Sequence, residues 1–216
     1  MGWDIVAALD RARADTSRIA GRVIRDPHLV PVLIGALDDT RARVKYGADK
    51  ALRAVSERRP DLLDPHFDRF VRLLGASNSF IRWGAIRTTG NLIAAGPDRR
   101  AESVFKRFLA PITGRDMVAA ATAISSAAAI ARAKPTLTNR IVKRILKVET
   151  AAYEHCGKLS PECRNVACGH AIDALDAVYR EGVCPAPVVE FARRQLRSTR
   201  PAVRRKAAAF LKVHAR

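Results

Sequence analysis

Apolar residues recur along this chain at steps of three and four, the spacing that lays one buried stripe along an α-helix. Leu29, Val32, Leu33 and Leu37 form one stripe, Phe67, Phe70, Val71 and Leu74 the next, and Val104, Phe105, Phe108, Leu109 and Ile112 a third. Ile141, Val142, Ile145 and Leu146 follow, then Val188, Val189, Phe191, Ala192 and Leu196. Between these lie longer helical patterns rich in alanine. Pro27, Pro65 and Pro187 fall at helix starts, where a missing N–H costs little. Asp38-Asp39, Asn78 and Asp116 stand just before second helices, where a short side-chain oxygen can cap free amides. No segment shows the alternation of a β-strand, so the pattern predicts an all-α protein.

The helices repeat. Asp26-Pro27-His28-Leu29 returns as Asp64-Pro65-His66-Phe67, and Val44-Lys45-Tyr46-Gly47-Ala48 returns as Ile81-Arg82-Trp83-Gly84-Ala85. Fainter echoes begin at Met117, Val166 and Val203, giving intervals of 37, 36, 49 and 37 residues. Three similar intervals and one long one describe a repeat with a single insertion, Tyr153 to Arg164, expected to project as a loop between the helices of the fourth pair. Gly47, Gly84 and Gly169 recur at one place in the second helix. Glycine there costs about 1 kcal/mol in helix propensity relative to alanine, so a close helix approach is the expected compensation.

On these motifs the chain resembles the HEAT-repeat superfamily, in which the second helix of each pair opens on an apolar–basic dipeptide followed by small residues. Val44-Lys45, Ile81-Arg82 and Val203-Arg204 match that opening, whereas Met117-Val118 and Val166-Ala167 lack the basic residue. The resemblance implies a right-handed α-solenoid of about five antiparallel helical pairs whose stacked neighbours share one core. The expected layout is a single domain over 1–216: capping helices in 1–25, then repeats at 26–63, 64–97, 98–136, 137–182 and 183–216. It also implies that second helices line a concave, partner-binding surface.

Charge narrows the class of partner. The chain has 39 basic and 21 acidic residues, a net +18. Residues 1–98 carry 16 basic and 12 acidic groups, 99–150 carry 11 and 3, 151–190 carry 3 and 6, and 191–216 carry 9 and none. Such polarity favours an acidic macromolecule, with a protein as the first expectation and nucleic acid as the alternative. No secretory leader is read at the start, and the longest weakly polar run, Val118 to Ala131, is short of the roughly 20 residues a membrane span needs. A cytoplasmic location is the expectation, and with it free thiols at Cys156, Cys163, Cys168 and Cys184.

No reaction is assembled by pattern. Phosphate-cradling glycine loops, the His-Glu-x-x-His pattern and a nucleophile elbow are all absent from the sequence. His170 and Asp173 share a helix face, an arrangement expected of a histidine hydrogen-bonded to its neighbour. His155, Cys156, Cys163, Cys168, His170 and Cys184 lack the close Cys pairs of structural zinc sites, so neither a metal nor another cofactor is expected. The expectation leans to a non-enzyme. The candidate binding residues are Tyr46 with Lys50 and Trp83 with Arg87, each an aromatic–basic pair on one helix face, in adjacent repeats. Aromatics at those positions also serve inter-repeat packing. The second candidate is the basic run Arg193, Arg194, Arg197, Arg200, Arg204, Arg205, Lys206, Lys212 and Arg216, which holds no carboxylate of its own, so that some of its cations face solvent or a polyanion. In length, basicity and form the chain is also similar to the HEAT-like alkylpurine DNA glycosylases. Those carry Trp and Asp one helical turn apart; here the residue four beyond Trp83 is Arg87, so that resemblance implies DNA binding without the matching catalytic acid.

Overall fold

Short polar side chains and prolines set the helix boundaries. The structure, a computed structural model, describes residues 4–179 and 185–215. The readings that touch Cys184 and Arg216 lie outside the described residues. Helices α1 (Ile5–Asp10) and α2 (Thr16–Arg25) come first. Five pairs follow: α3 (Val30–Gly35) with α4 (Ala42–Arg58), α5 (Phe67–Leu73) with α6 (Ser79–Ala95), and α7 (Asp98–Leu109) with α8 (Met117–Ala133). The last two are α9 (Thr138–Ile145) with α10 (Pro161–Val178) and α11 (Pro185–Gln195) with α12 (Pro201–His214). The protein is an all-α solenoid, and its chain divides into two compact units, Met1–Pro97 and Asp98–Arg216.

Asn78 and Asp116 cap second helices as expected, and Ser160, not read from the sequence, caps α10. Asn78 Oδ1 accepts from the Ile81 amide at 3.2 Å, Asp116 Oδ1 from Val118 and Ala119 at 2.9 and 3.0 Å, and Ser160 Oγ from Cys163 at 3.2 Å. At α4 the cap residue is Arg41, and Asp39 instead takes the Arg41 amide at 2.8 Å and its guanidinium. First helices are short and extended by 3₁₀ turns such as Pro27–Leu29 and Asp64–His66. That tighter winding shifts the first stripe. Val30, Leu33, Ile34 and Leu37 are buried, whereas Val32, expected inside, is 46% exposed; Leu196 in the last pair likewise faces out.

The expectation of no strand is corrected at one place. Glu154–His155 (β1) and Lys158–Leu159 (β2) pair antiparallel around Cys156-Gly157, whose φ values are +50° and +74°. Two consecutive positive φ angles are what a two-residue hairpin of right-handed twist requires, and a pattern read over longer windows passes over four residues. The insertion is also not a free loop. Tyr153 is buried and donates its hydroxyl to the Ile112 carbonyl at 2.5 Å, while the Glu154 amide donates to Arg115 O at 2.9 Å. The base of the hairpin is thereby tied to the turn that precedes α8.

Second helices pack on one another within each unit: α4 against α2 and α6, and α10 against α8 and α12. Gly84 and Gly169 lie at these contacts, and Gly47 lies where α4 meets α1. A Cβ on Gly47 would come within 2.9 Å of Leu9 Cδ2, and one on Gly169 within 3.2 Å of Val203 Cγ2. On Gly84 it would fall 1.7 Å from Asp49 Oδ1 and 2.4 Å from Asp49 Cγ. Gly84 therefore makes room for a carboxylate of α4. That carboxylate is mostly buried and ion-paired to Arg53 at 3.2 Å. Burial pushes its pKa up from the ordinary 3.8 to about 6, against the opposing pull of Arg53 and Arg87.

Two outcomes follow for stability. Gly84→Ala should destabilise by about 1–3 kcal/mol, the usual cost of overpacking. In an Asp49→Ala background the same substitution should instead stabilise by up to about 1 kcal/mol, because alanine is the better helix former. Urea denaturation of the four proteins measures both, and an equal cost in the two backgrounds would show that the glycine answers to something other than the carboxylate. For pH, the folded chain holds the Asp49 proton up to about pH 6, whereas the unfolded chain releases it near 3.8. The folded state binds more protons in that window, so stability should fall by about 2–3 kcal/mol as pH rises from about 4 to about 6, then level off. Asp49→Asn should remove that fall, seen as urea midpoints that no longer differ between the two ends of the window.

Candidate functional site

In the first unit, α4 and α6 lie side by side and carry Tyr46 and Trp83 at equivalent repeat positions. The two rings do not meet alone: Phe80, from the first turn of α6, stands between them. The Tyr46–Phe80 centroids are 5.4 Å apart and tilted by 53°, and Phe80–Trp83 are 5.2 Å apart at 65°, close to edge-on. These are the spacings that attractive aromatic pairs adopt. Asn78, the cap of α6, donates its side-chain amide to the Tyr46 hydroxyl at 3.0 Å and so fixes the outer ring. Phe80 is 61% exposed and Tyr46 38%. Exposed aromatic surface held rigid by neighbours is the type of area that interfaces use.

The cations expected beside these rings are exposed. Lys50 lies one turn beyond Tyr46, and Arg87 one turn beyond Trp83; neither takes part in an ion pair among the described residues. Beneath them Asp49 is within electrostatic reach of Arg87. Sequence reasoning passed over Phe80 because it stands apart from the buried run of α6, which opens at Ile81. An aromatic out of phase with a helix's buried stripe is the signal that would have found it.

The basic C-terminal run proves less free than its composition suggests. Its carboxylates come from elsewhere in the fold. Arg194 makes a bidentate pair with Glu149 at 2.9 and 2.8 Å, Arg200 pairs with Glu162, Lys206 reaches Asp173 at 2.5 Å, and Arg193 meets Glu190 at 2.5 Å. Arg204 is spent on the backbone, donating to Ser198 O at 2.8 Å and Thr199 O at 3.2 Å. Among the described residues this leaves Arg197, Arg205 and Lys212 exposed and without an ion pair. Carboxylates between residues 149 and 190 thus pair with part of the basic stretch that follows. Exposed pairs of this kind are each worth about 0–1 kcal/mol, so a polyanion can compete for them.

The remaining candidates stay apart. Asp173 is engaged by Lys206, and no His170–Asp173 hydrogen bond is present, contrary to expectation. Burial and the nearby Lys206 lower the His170 pKa. Cys156 is exposed at the hairpin turn, Cys163 is half-buried in the first turn of α10, and Cys168 is buried, its thiol pushed up to about 12 by burial and by Glu149. All three are free thiols. Among the described residues no three His, Cys, Asp or Glu side chains converge. A cavity of about 230 Å³ lies under the hairpin, lined by Tyr153, Leu159, Pro161 and Arg164 among others.

Among the described residues no helix is long and apolar enough to cross a membrane. No family's sequence model matches the chain, and neither does any curated protein. Solved structures do match it in fold. A designed armadillo repeat protein in complex with the peptide (KR)4 superposes with a TM-score of 0.57 at 15% identity, over 97% of this chain and 98% of that one. A second designed armadillo repeat protein gives 0.55 at 18% identity, covering 96% and 97%. An engineered protein gives 0.58 at 16% identity, covering 98% of both. At such identities the likeness concerns the fold, and the fold is that of a helical repeat protein.

Proposed function

We propose that this chain is a non-enzymatic interaction scaffold of the HEAT type that docks an acidic protein segment on the Tyr46–Phe80–Trp83 face. The observation that carries the reading is the three-ring row, with Tyr46 and Phe80 exposed and Trp83 half-buried, and with Lys50 and Arg87 beside it in no ion pair among the described residues. Stacked rings offer contact area at low entropic cost, and adjacent cations select for negative charge. Arg193, Arg197, Arg204 and Arg205 form the second basic surface, with Arg197 and Arg205 the members open to a partner. The designed armadillo repeat protein whose structure contains (KR)4 binds a basic peptide. This chain carries a net +18, so the same mode of binding calls for a peptide of opposite sign. The apolar–basic openings at Val44, Ile81 and Val203 support the HEAT assignment, and the five helical pairs support one repeat array over 26–216.

The test uses short Asp/Glu-rich peptides with and without an aromatic residue, alongside single-stranded and duplex DNA and RNA, titrated at two salt concentrations. The aromatic-bearing acidic peptide should bind more tightly than its aromatic-free counterpart. Phe80→Ala or Trp83→Ala should weaken it by about 1–3 kcal/mol with little change in salt dependence. Arg87→Ala and Arg197→Ala/Arg205→Ala should flatten the salt dependence, because they remove charge and not contact area. Binding of nucleic acid above about 0.1 M salt that requires Trp83, with no binding of the peptides, would replace this reading with the nucleic-acid one.

A further inference from the structure

A separate feature lies at the start of the chain. On α2, Arg18, Arg22 and Arg25 follow one another at steps of four and three, which puts them on one face, opposite the buried Ile19, Ala20 and Val23. The connection from α1 brings Arg11 and Arg13 over the same face. Together they line a cavity of about 350 Å³ between α1 and α2, within the range of small-ligand sites. Five guanidinium groups thus share one concave space with a single carboxylate, that of Asp15. This carboxylate is already used: its Oδ1 accepts from the Arg18 amide at 2.9 Å as the cap of α2. Arg11, Arg13, Arg18 and Arg25 form no ion pair among the described residues.

Arg13 supplies a second, independent observation. Its φ is +59°, in the left-handed region where glycine or asparagine is the usual residue. An arginine held there keeps backbone strain that a glycine would relieve, and such strain concentrates at ligand sites. Like charges crowded into a cleft repel, and a bound anion removes the repulsion. Guanidinium groups match phosphate oxygens in geometry as well as charge.

We infer that the cleft between α1 and α2 is a binding site for a small polyphosphorylated anion, gripped by Arg11, Arg13, Arg18 and Arg25. The site is distinct from the aromatic row, and it does not depend on the scaffold reading. A concave pocket of this volume suits a compact ligand bearing a few phosphates, whereas a duplex asks for an extended basic stripe.

The experiment is isothermal titration of the full chain with tripolyphosphate at about 0.15 M salt, with sulfate as the control and a parallel sedimentation assay on vesicles carrying a polyphosphorylated inositol lipid. Saturable binding of tripolyphosphate, tighter than that of sulfate, is expected. Arg13→Gly should weaken it about ten-fold, the usual scale for losing one charged hydrogen-bonding partner, while leaving the melting temperature unchanged or raised. Arg11→Ala/Arg18→Ala should weaken it further. Vesicle binding with the same arginine dependence would identify the phosphates as a lipid's, and its absence would identify a free ligand. No saturable binding, equal binding of sulfate, or affinity unchanged in Arg13→Gly and Arg11→Ala/Arg18→Ala would overturn the inference. So would duplex DNA binding that needs these arginines while tripolyphosphate does not bind.

Discussion

A helical pair has more apolar surface than it can cover alone, and in this chain the nearness of neighbouring second helices decides how much of it is covered. Tight approaches occur at Gly84 against Asp49 and Gly169 against Val203, and at Gly47 against Leu9 of α1. Each missing Cβ admits a side chain from the adjacent helix, and the loss of helix propensity at each glycine is offset by that contact. The alanines around them, Ala48, Ala51, Ala85, Ala120, Ala127 and Ala171, are buried in the same layer. Small residues allow close helices, and close helices bring side chains of successive repeats into rows. The aromatic row exists because α4 and α6 are near enough for Phe80 to touch both Tyr46 and Trp83.

That nearness has an electrostatic cost at Asp49. Its carboxylate sits where an aliphatic side chain would pack more cheaply, and burial outweighs the attraction of Arg53. The same carboxylate lies beneath the basic, aromatic face and within reach of Arg87. The attraction between Asp49 and Arg87 acts through space without a direct pair, and it links the packing of the repeat to the surface proposed to bind. Loss of stability at functional surfaces is a common companion of specificity.

Charge is redistributed by the fold. The C-terminal cations look unopposed along the chain, yet Glu149, Glu162 and Asp173 are brought to three of them by packing of the last two helical pairs, while Glu190 meets Arg193 within α11. Among the described residues, the exposed cations outside any ion pair include Lys50 and Arg87 beside the aromatic row, Arg197 and Arg205 near the end, and Arg11, Arg13, Arg18 and Arg25 at the α1–α2 cleft. Net charge describes how strongly the molecule attracts polyanions from afar. The distribution of unpaired groups describes where that attraction is least opposed within the molecule.

Much of the architecture was legible because helical periodicity, proline and capping residues act over a few positions and are written locally. The stripes, the caps at Asn78 and Asp116, the five helical pairs and the place of the insertion all follow from such short-range rules. Tyr46, Lys50, Trp83 and Arg87 could be placed on shared helix faces for the same reason. What the sequence could not determine depends on contacts between residues about thirty or more positions apart. The tertiary structure alone set Phe80 between two rings, seated Asp49 on Gly84, buried Tyr153 on the carbonyl of Ile112 and assigned a distant carboxylate to Arg194, Arg200 and Lys206. Those outcomes depend on the distance and rotation between stacked helices, which emerge only when the small residues of one helix have met the large residues of the next.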